Sequence, residues 1–174
     1  MADARETIPA GGEQVVGVAQ DPRTWPWKPN PGGPRTLDEA LQRARARGIQ
    51  IEDDIRFVVV PDNSPLVPPN AFASYGGFQS YQTVRWSNFY VQERIPVKVK
   101  VSVLESDEAI VAVVAHEMYE LNELRRLFEE REMMSGPYLH ELIRVGLPKN
   151  LHDRAWDAAD EFVFTMRKER YAND

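Results

Sequence analysis

The sequence predicts an α+β domain: a small antiparallel or mixed sheet followed by a long helix and two further C-terminal helices. Three observations carry that reading. Ile55 to Val60 is a short apolar, largely β-branched run closed by Pro61, and Val97, Val99, Val101 and Val103 alternate with Lys98, Lys100 and Ser102; both have strand character. From Ser106 onward the apolar residues recur at helical spacing. The chain has 174 residues, 43% hydrophobic and 28% charged, which fits one globular domain and excludes wholesale disorder.

Residues 1–35 carry Pro9, Pro22, Pro26, Pro29, Pro31 and Pro34 among several glycines. Proline at that density supplies neither ladder donors nor helix interiors, so these residues read as an extended arm, with Trp25 and Trp27 as its anchors. The body is then a single domain over 36–174. Its first helix opens at Thr36-Leu37-Asp38-Glu39, a capping box, and runs through Arg47 to a stop at Gly48. A buried strand over 55–60 follows, then a proline-rich loop over 61–71. The aromatic stretch from Phe72 to Val91 is expected to contain strands, with a turn at Gly76-Gly77. Val97 to Val103 is expected to be one strand, buried on one face and wet on the other.

Ser106, Asp107 and Glu108 open the longest helix, which runs to about Arg131 with an apolar stripe of Ile110, Val114, Leu121, Leu124 and Phe128. Gly136-Pro137 breaks it. A short helix is expected over about 138–145, and a last one from about Leu151 to Arg170 with Leu151, Ala155, Ala159, Phe162 and Met166 inward.

Composition excludes several functions. A net charge of −6 argues against a nucleic-acid partner gripped through a basic face. No apolar run approaches the ~18 residues of a membrane span. Met1 to Gly12 lacks the basic and apolar blocks of a Sec-type leader, so a cytoplasmic location or a non-Sec export route is expected. With no cysteine, disulfides, thiolate metal sites and cysteine nucleophiles are all excluded.

The chemistry concentrates in the long helix, at Ala115-His116-Glu117-Met118-Tyr119-Glu120. His116 and Glu120, four residues apart, project from one helix face and can grip one cation. Imidazole and carboxylate suit zinc, with manganese or another divalent ion as alternatives. Glu117 falls on the inward stripe, where a carboxylate is costly unless paired or placed beside a metal. That makes it the candidate general base. A third ligand must come from elsewhere. His152, near a helix N-terminus that disfavours imidazolium, is preferred over His140. Asp153, Asp157 and Asp160 share the helix of His152 and are further candidates as ligands or outer partners.

A strand followed by an apolar helix that runs into His-Glu-x-x-ligand resembles the active-site helix of zincin-like metallopeptidases, here as a variant with Glu120 where those proteins carry a second histidine. The stretch from about 95 to 165 is also similar to small metallopeptidase modules of bacterial polymorphic toxins. The resemblance implies that His116 and Glu120 are ligands and Glu117 the base. It further implies a protein or peptide substrate lying beside Val97 to Val103 as an edge strand, and a cognate inhibitor of the immunity type. Tyr119 is the tyrosine nearest the motif and a candidate oxyanion partner.

Two other readings use the same residues. In one, a non-catalytic module binds a protein or glycan through the aromatics of residues 72–90, and the histidines are structural. Glu117 would then pair with Arg154 or Arg144, and Glu120 and Glu123 with Arg125 or Arg126 on a solvated face. In the other, Glu120, Asp157 and Asp160 build a magnesium site for hydrolysis of nucleotide phosphates.

Overall fold

A computed structural model describes residues 26–75, 95–131 and 151–172. Helix α1 spans Leu37–Ala46. Thr36 caps it as the sequence requires: its hydroxyl accepts from the Glu39 N–H at 3.2 Å, and Glu39 Oε1 accepts from the Thr36 N–H at 2.9 Å. Gly48, at φ +93°, turns the chain out of the helix in a conformation that disfavours any side chain.

Three strands follow among the described residues: β1 (Ile55–Val60), β2 (Ala73–Tyr75) and β3 (Ile95–Lys100). The sheet order is β1-β3-β2. β3 runs parallel to β1, with Phe57 opposite Val97, and antiparallel to β2, with Tyr75 opposite the same Val97. The mixed sheet bears out the expected α+β class. Two features of β3 depart from expectation. It is the central strand, both of whose edges are taken by neighbours, so no extended substrate can pair with it. It also ends at Lys100. Val101–Glu105 winds into a 3-10 turn, which leaves Val101 44% exposed while Val103 returns to the core. Alternation of valines does not report that change, because the apolar pattern carries on past the last ladder hydrogen bond; in the 3-10 turn side chains three apart eclipse, so Val101 and Val103 part company.

Lys100, expected on a wet face, is buried. Its Nζ donates to the carbonyls of Pro68 and Pro69, each at 3.1 Å, and burial lowers its pKa. The prolines of the 61–71 loop have no N–H of their own, and their carbonyls serve instead as acceptors for this ammonium.

Helix α2 covers Asp107–Arg131 and α3 covers Leu151–Ala172. Ser106 caps α2, its Oγ accepting from the Ala109 N–H at 3.2 Å. The first half of α2 is buried on every side from Glu108 to Met118, not along a stripe alone. It passes between α1, the β2 side of the sheet and α3, which is why Ala109 to Ala115 contains no polar residue. Ile110, Leu121 and Leu124 of α2 meet Leu151 and Val163 of α3 in the core, with Val97 from the sheet. Phe162 and Met166 pack at its margin. No helix among the described residues is long and apolar enough to cross a membrane.

Residues 26–35 are tied to this body. Trp27 stands edge-on to Phe72, with centroids 4.7 Å apart. The Asn30 N–H donates to Glu105 O and the Arg35 N–H to Leu104 O, both at 2.8 Å. The Arg35 guanidinium grips Asp107 at 2.9 and 3.0 Å. Buried Glu108 receives the Lys28 N–H at 2.9 Å, together with Arg167 and Arg170 of α3. Burial pushes the Glu108 carboxyl up, but the hydrogen bonds from Arg167, the Lys28 N–H and Arg170 outweigh it and leave it below the usual range. Trp25, Gly76-Gly77, most of the aromatic stretch, the break at Gly136-Pro137, the expected helix over 138–145 and His140 lie outside the described residues.

Candidate metal centre

Beyond Ala115, α2 buries polar residues again. His116, Glu117 and Glu120 are 5%, 5% and 3% exposed, a density of buried polar groups that apolar packing alone would not select. Opposite them, the first turn of α3 brings in His152. The convergence is close: His116 Nε2 lies 3.2 Å from Glu120 Oε2, and His152 Nδ1 lies 2.9 Å from the same oxygen. Tyr75, at the end of β2, donates its phenolic O–H to the other oxygen, Glu120 Oε1, at 2.7 Å. Glu117 Oε2 sits 2.8 Å from His116 Nδ1; among the described residues, Glu117 Oε1 has no hydrogen-bond partner.

Aromatic rings close one side. The Trp156 ring, one turn beyond His152, lies 4.3 Å from the His116 ring at a 39° tilt. The two imidazoles stand edge to face, with centroids 4.8 Å apart. Phe72 stands edge-on to Trp156, with centroids at 6.5 Å.

Charge is distributed unequally between the two glutamates. Burial raises the Glu120 carboxyl, but the charge of His116, the hydrogen bond and charge of His152 and the Tyr75 hydroxyl together hold it below the ordinary range. Glu117 is pushed well above that range by burial and then by the negative charge of Glu120. The Tyr75 phenol is likewise raised by burial and by both carboxylates, so it is a donor and not a phenolate.

The donors fit a metal ion. One ligand atom each from His116, Glu120 and His152 falls within 4.8 Å of the others. Ligand atoms around a tetrahedral zinc stand about 3.4 Å apart, from bonds of about 2.0–2.1 Å; the separations of 2.9 and 3.2 Å to Glu120 Oε2 lie close to that spacing. Two imidazoles and one carboxylate form a set that holds first-row divalent ions in catalytic sites. A proton shared between such groups and a cation shared between them occupy the same place, so acid competes with metal.

The structure thus brings together the three residues expected to be ligands, from positions 32 residues or more apart between helices. Other expectations do not hold. Asp153, Asp157 and Asp160 are outside the three-residue cluster among the described residues; Asp157 is exposed and Asp160 is buried two turns further along α3. A magnesium site built from Glu120 with Asp157 and Asp160 therefore lacks the required convergence. Glu120 does not lie on a solvated face, and Glu117 meets His116; of its two expected arginine partners, Arg154 is exposed and Arg144 lies outside the described residues. Glu123 does pair with Arg126, at 2.8 Å on the surface. Tyr75 was not foreseen. Tyr119, adjacent in sequence, is half-buried against the core, while the tyrosine that reaches Glu120 comes from 45 residues upstream. Strand pairing, which no local pattern encodes, brings it there.

No protein-family model, curated protein or solved structure matches this chain.

Proposed function

We propose that this domain is a metal-dependent hydrolase of the zincin-like peptidase type, acting on a protein or peptide. The observation that carries the reading is the meeting of His116, Glu120 and His152 around one point, beside a second buried carboxylate. His116 and Glu120 from α2 and His152 from α3 would hold the ion, zinc being the first choice for this donor set. A divalent ion supplies Lewis acidity there, polarising a carbonyl and making water a stronger acid.

Glu117 is the base in this reading. One of its oxygens rests on His116 Nδ1, which orients the imidazole so that Nε2 faces Glu120. The other oxygen, Oε1, takes up the proton of the attacking water and returns it to the leaving amine. The apolar wall of Trp156 and Phe72 excludes bulk water from one side and strengthens each of these interactions. Resemblance to toxin modules adds delivery by a specialised route and a cognate inhibitor protein.

The test is elemental analysis of the purified chain and of His116→Ala. About one zinc or manganese per chain, lost in the variant, is the expected result, followed by turnover in a screen of protein substrates. Absence of a transition metal in both, even after incubation with zinc, overturns the reading. Effort would then move to a binding module that recognises its partner through residues 72–90.

A further inference from the structure

We infer that Tyr75 commits Glu120 to ligation through a single oxygen and thereby selects a small first-row metal over calcium. The inference rests on the metal-site reading and deepens it. A carboxylate can hold a cation through one oxygen or through both. Calcium sites take six to eight oxygen ligands and commonly use a glutamate through both oxygens, whereas four-coordinate zinc needs only one. At Glu120 the choice is made by the fold. Oε1 accepts the Tyr75 hydroxyl at 2.7 Å, while Oε2 faces both His116 at 3.2 Å and His152 at 2.9 Å. The oxygen that the phenol occupies is the one that two-oxygen ligation would require.

Tyr75 is well placed to keep it. The residue closes β2, where it pairs with Val97 of the central strand, and its ring packs against the core. The hydroxyl is therefore held by sheet register and not by a flexible loop. Glu117 does for the imidazole what Tyr75 does for the carboxylate: its Oε2, 2.8 Å from His116 Nδ1, occupies the ring nitrogen on the far side from Glu120. Each α2 ligand of the site thus has one donor atom taken by a neighbour and the other turned toward a fellow ligand. Tyr75 acts through Glu120 and is a positioning residue.

Co2+ titration of the full chain tests this, because visible absorption of cobalt is intense in four-coordinate sites and weak in six-coordinate ones. The wild-type chain should bind one Co2+ with the intense spectrum and keep it in a thousand-fold excess of Ca2+. Tyr75→Phe, which keeps the ring, frees Oε1. Its Co2+ band should weaken several-fold, its Co2+ affinity should fall about 10- to 100-fold, and Ca2+ should become a competitor. Co2+ uptake by the wild type, with Tyr75→Phe matching it in spectrum and affinity, overturns the role of Tyr75 alone. Displacement of Co2+ from the wild type by modest Ca2+ overturns it without recourse to any variant. A wild-type chain that takes up no Co2+ overturns the metal site as well.

Discussion

At Glu120 one carboxylate meets a phenol and two imidazoles, while Glu117, one turn back, hydrogen-bonds His116. The difference assigns the two glutamates different work, and substitution can read it. Glu117→Gln keeps the shape and an acceptor for His116 Nδ1 but cannot take up a proton. It should lower turnover by about 10²–10⁴-fold with metal content unchanged, as measured by steady-state kinetics beside elemental analysis. If metal affinity falls in step with turnover, the duty of Glu117 is to hold His116 in place, and the base lies elsewhere. His116-Glu117-x-x-Glu120 was legible as a candidate because i and i+4 share a helix face. The hydroxyl on Glu120 was not, because β2 contributes it through long-range pairing.

Among the elements, α2 is the axis against which the others are placed, and its first turn is where they are fastened. Glu108, 3% exposed, ties α2 to Arg167 and Arg170 of α3 and to the backbone of Lys28. That fastening sets the position of α3 and hence of His152. Glu108→Ala leaves two guanidinium groups without their shared carboxylate and should cost about 3 kcal/mol or more, read from urea unfolding. A neighbouring clamp responds to acid. The hydrogen bond from Arg35 holds the Asp107 carboxyl below its ordinary value. A carboxyl lowered in the folded state stabilises the fold above its unfolded pKa, and that contribution disappears as pH falls through the folded value. Stability should therefore decline from about pH 4 downward, and the urea midpoint of Asp107→Asn should fall less steeply over that range. The sequence foresaw α1 with its caps, β1 and the start of α2, since each rests on local signals such as a capping box or an apolar run against proline. It misjudged the end of β3 and its central place in the sheet, which depend on partners far along the chain.

On the scale of the whole molecule, the site joins two helices and a strand, so a bound ion should stabilise the entire fold. At a zinc concentration about a hundred times the dissociation constant, mass action adds about 2.7 kcal/mol. For a domain of this size that corresponds to a rise of roughly 5–10 °C in Tm. Differential scanning calorimetry with and without zinc should show the rise in the wild-type chain and none in His152→Ala. Lowering the pH should erase the wild-type rise, since protons displace the ion from imidazole and carboxylate. Local sequence was enough for the α+β class, the apolar stripe of α2 and the short roster of residues with metal chemistry, because helix face and apolar pattern are set by neighbours within a few positions; burial of the first half of α2 on every side comes from α1, the sheet and α3. Long-range packing brings His152 to Glu120, gives Tyr75 the second carboxylate oxygen and closes β3 to a substrate strand. The first two contacts span 32 and 45 residues of chain, the partners of β3 also come from far along it, and the packing of α3 and the pairing of the sheet create them.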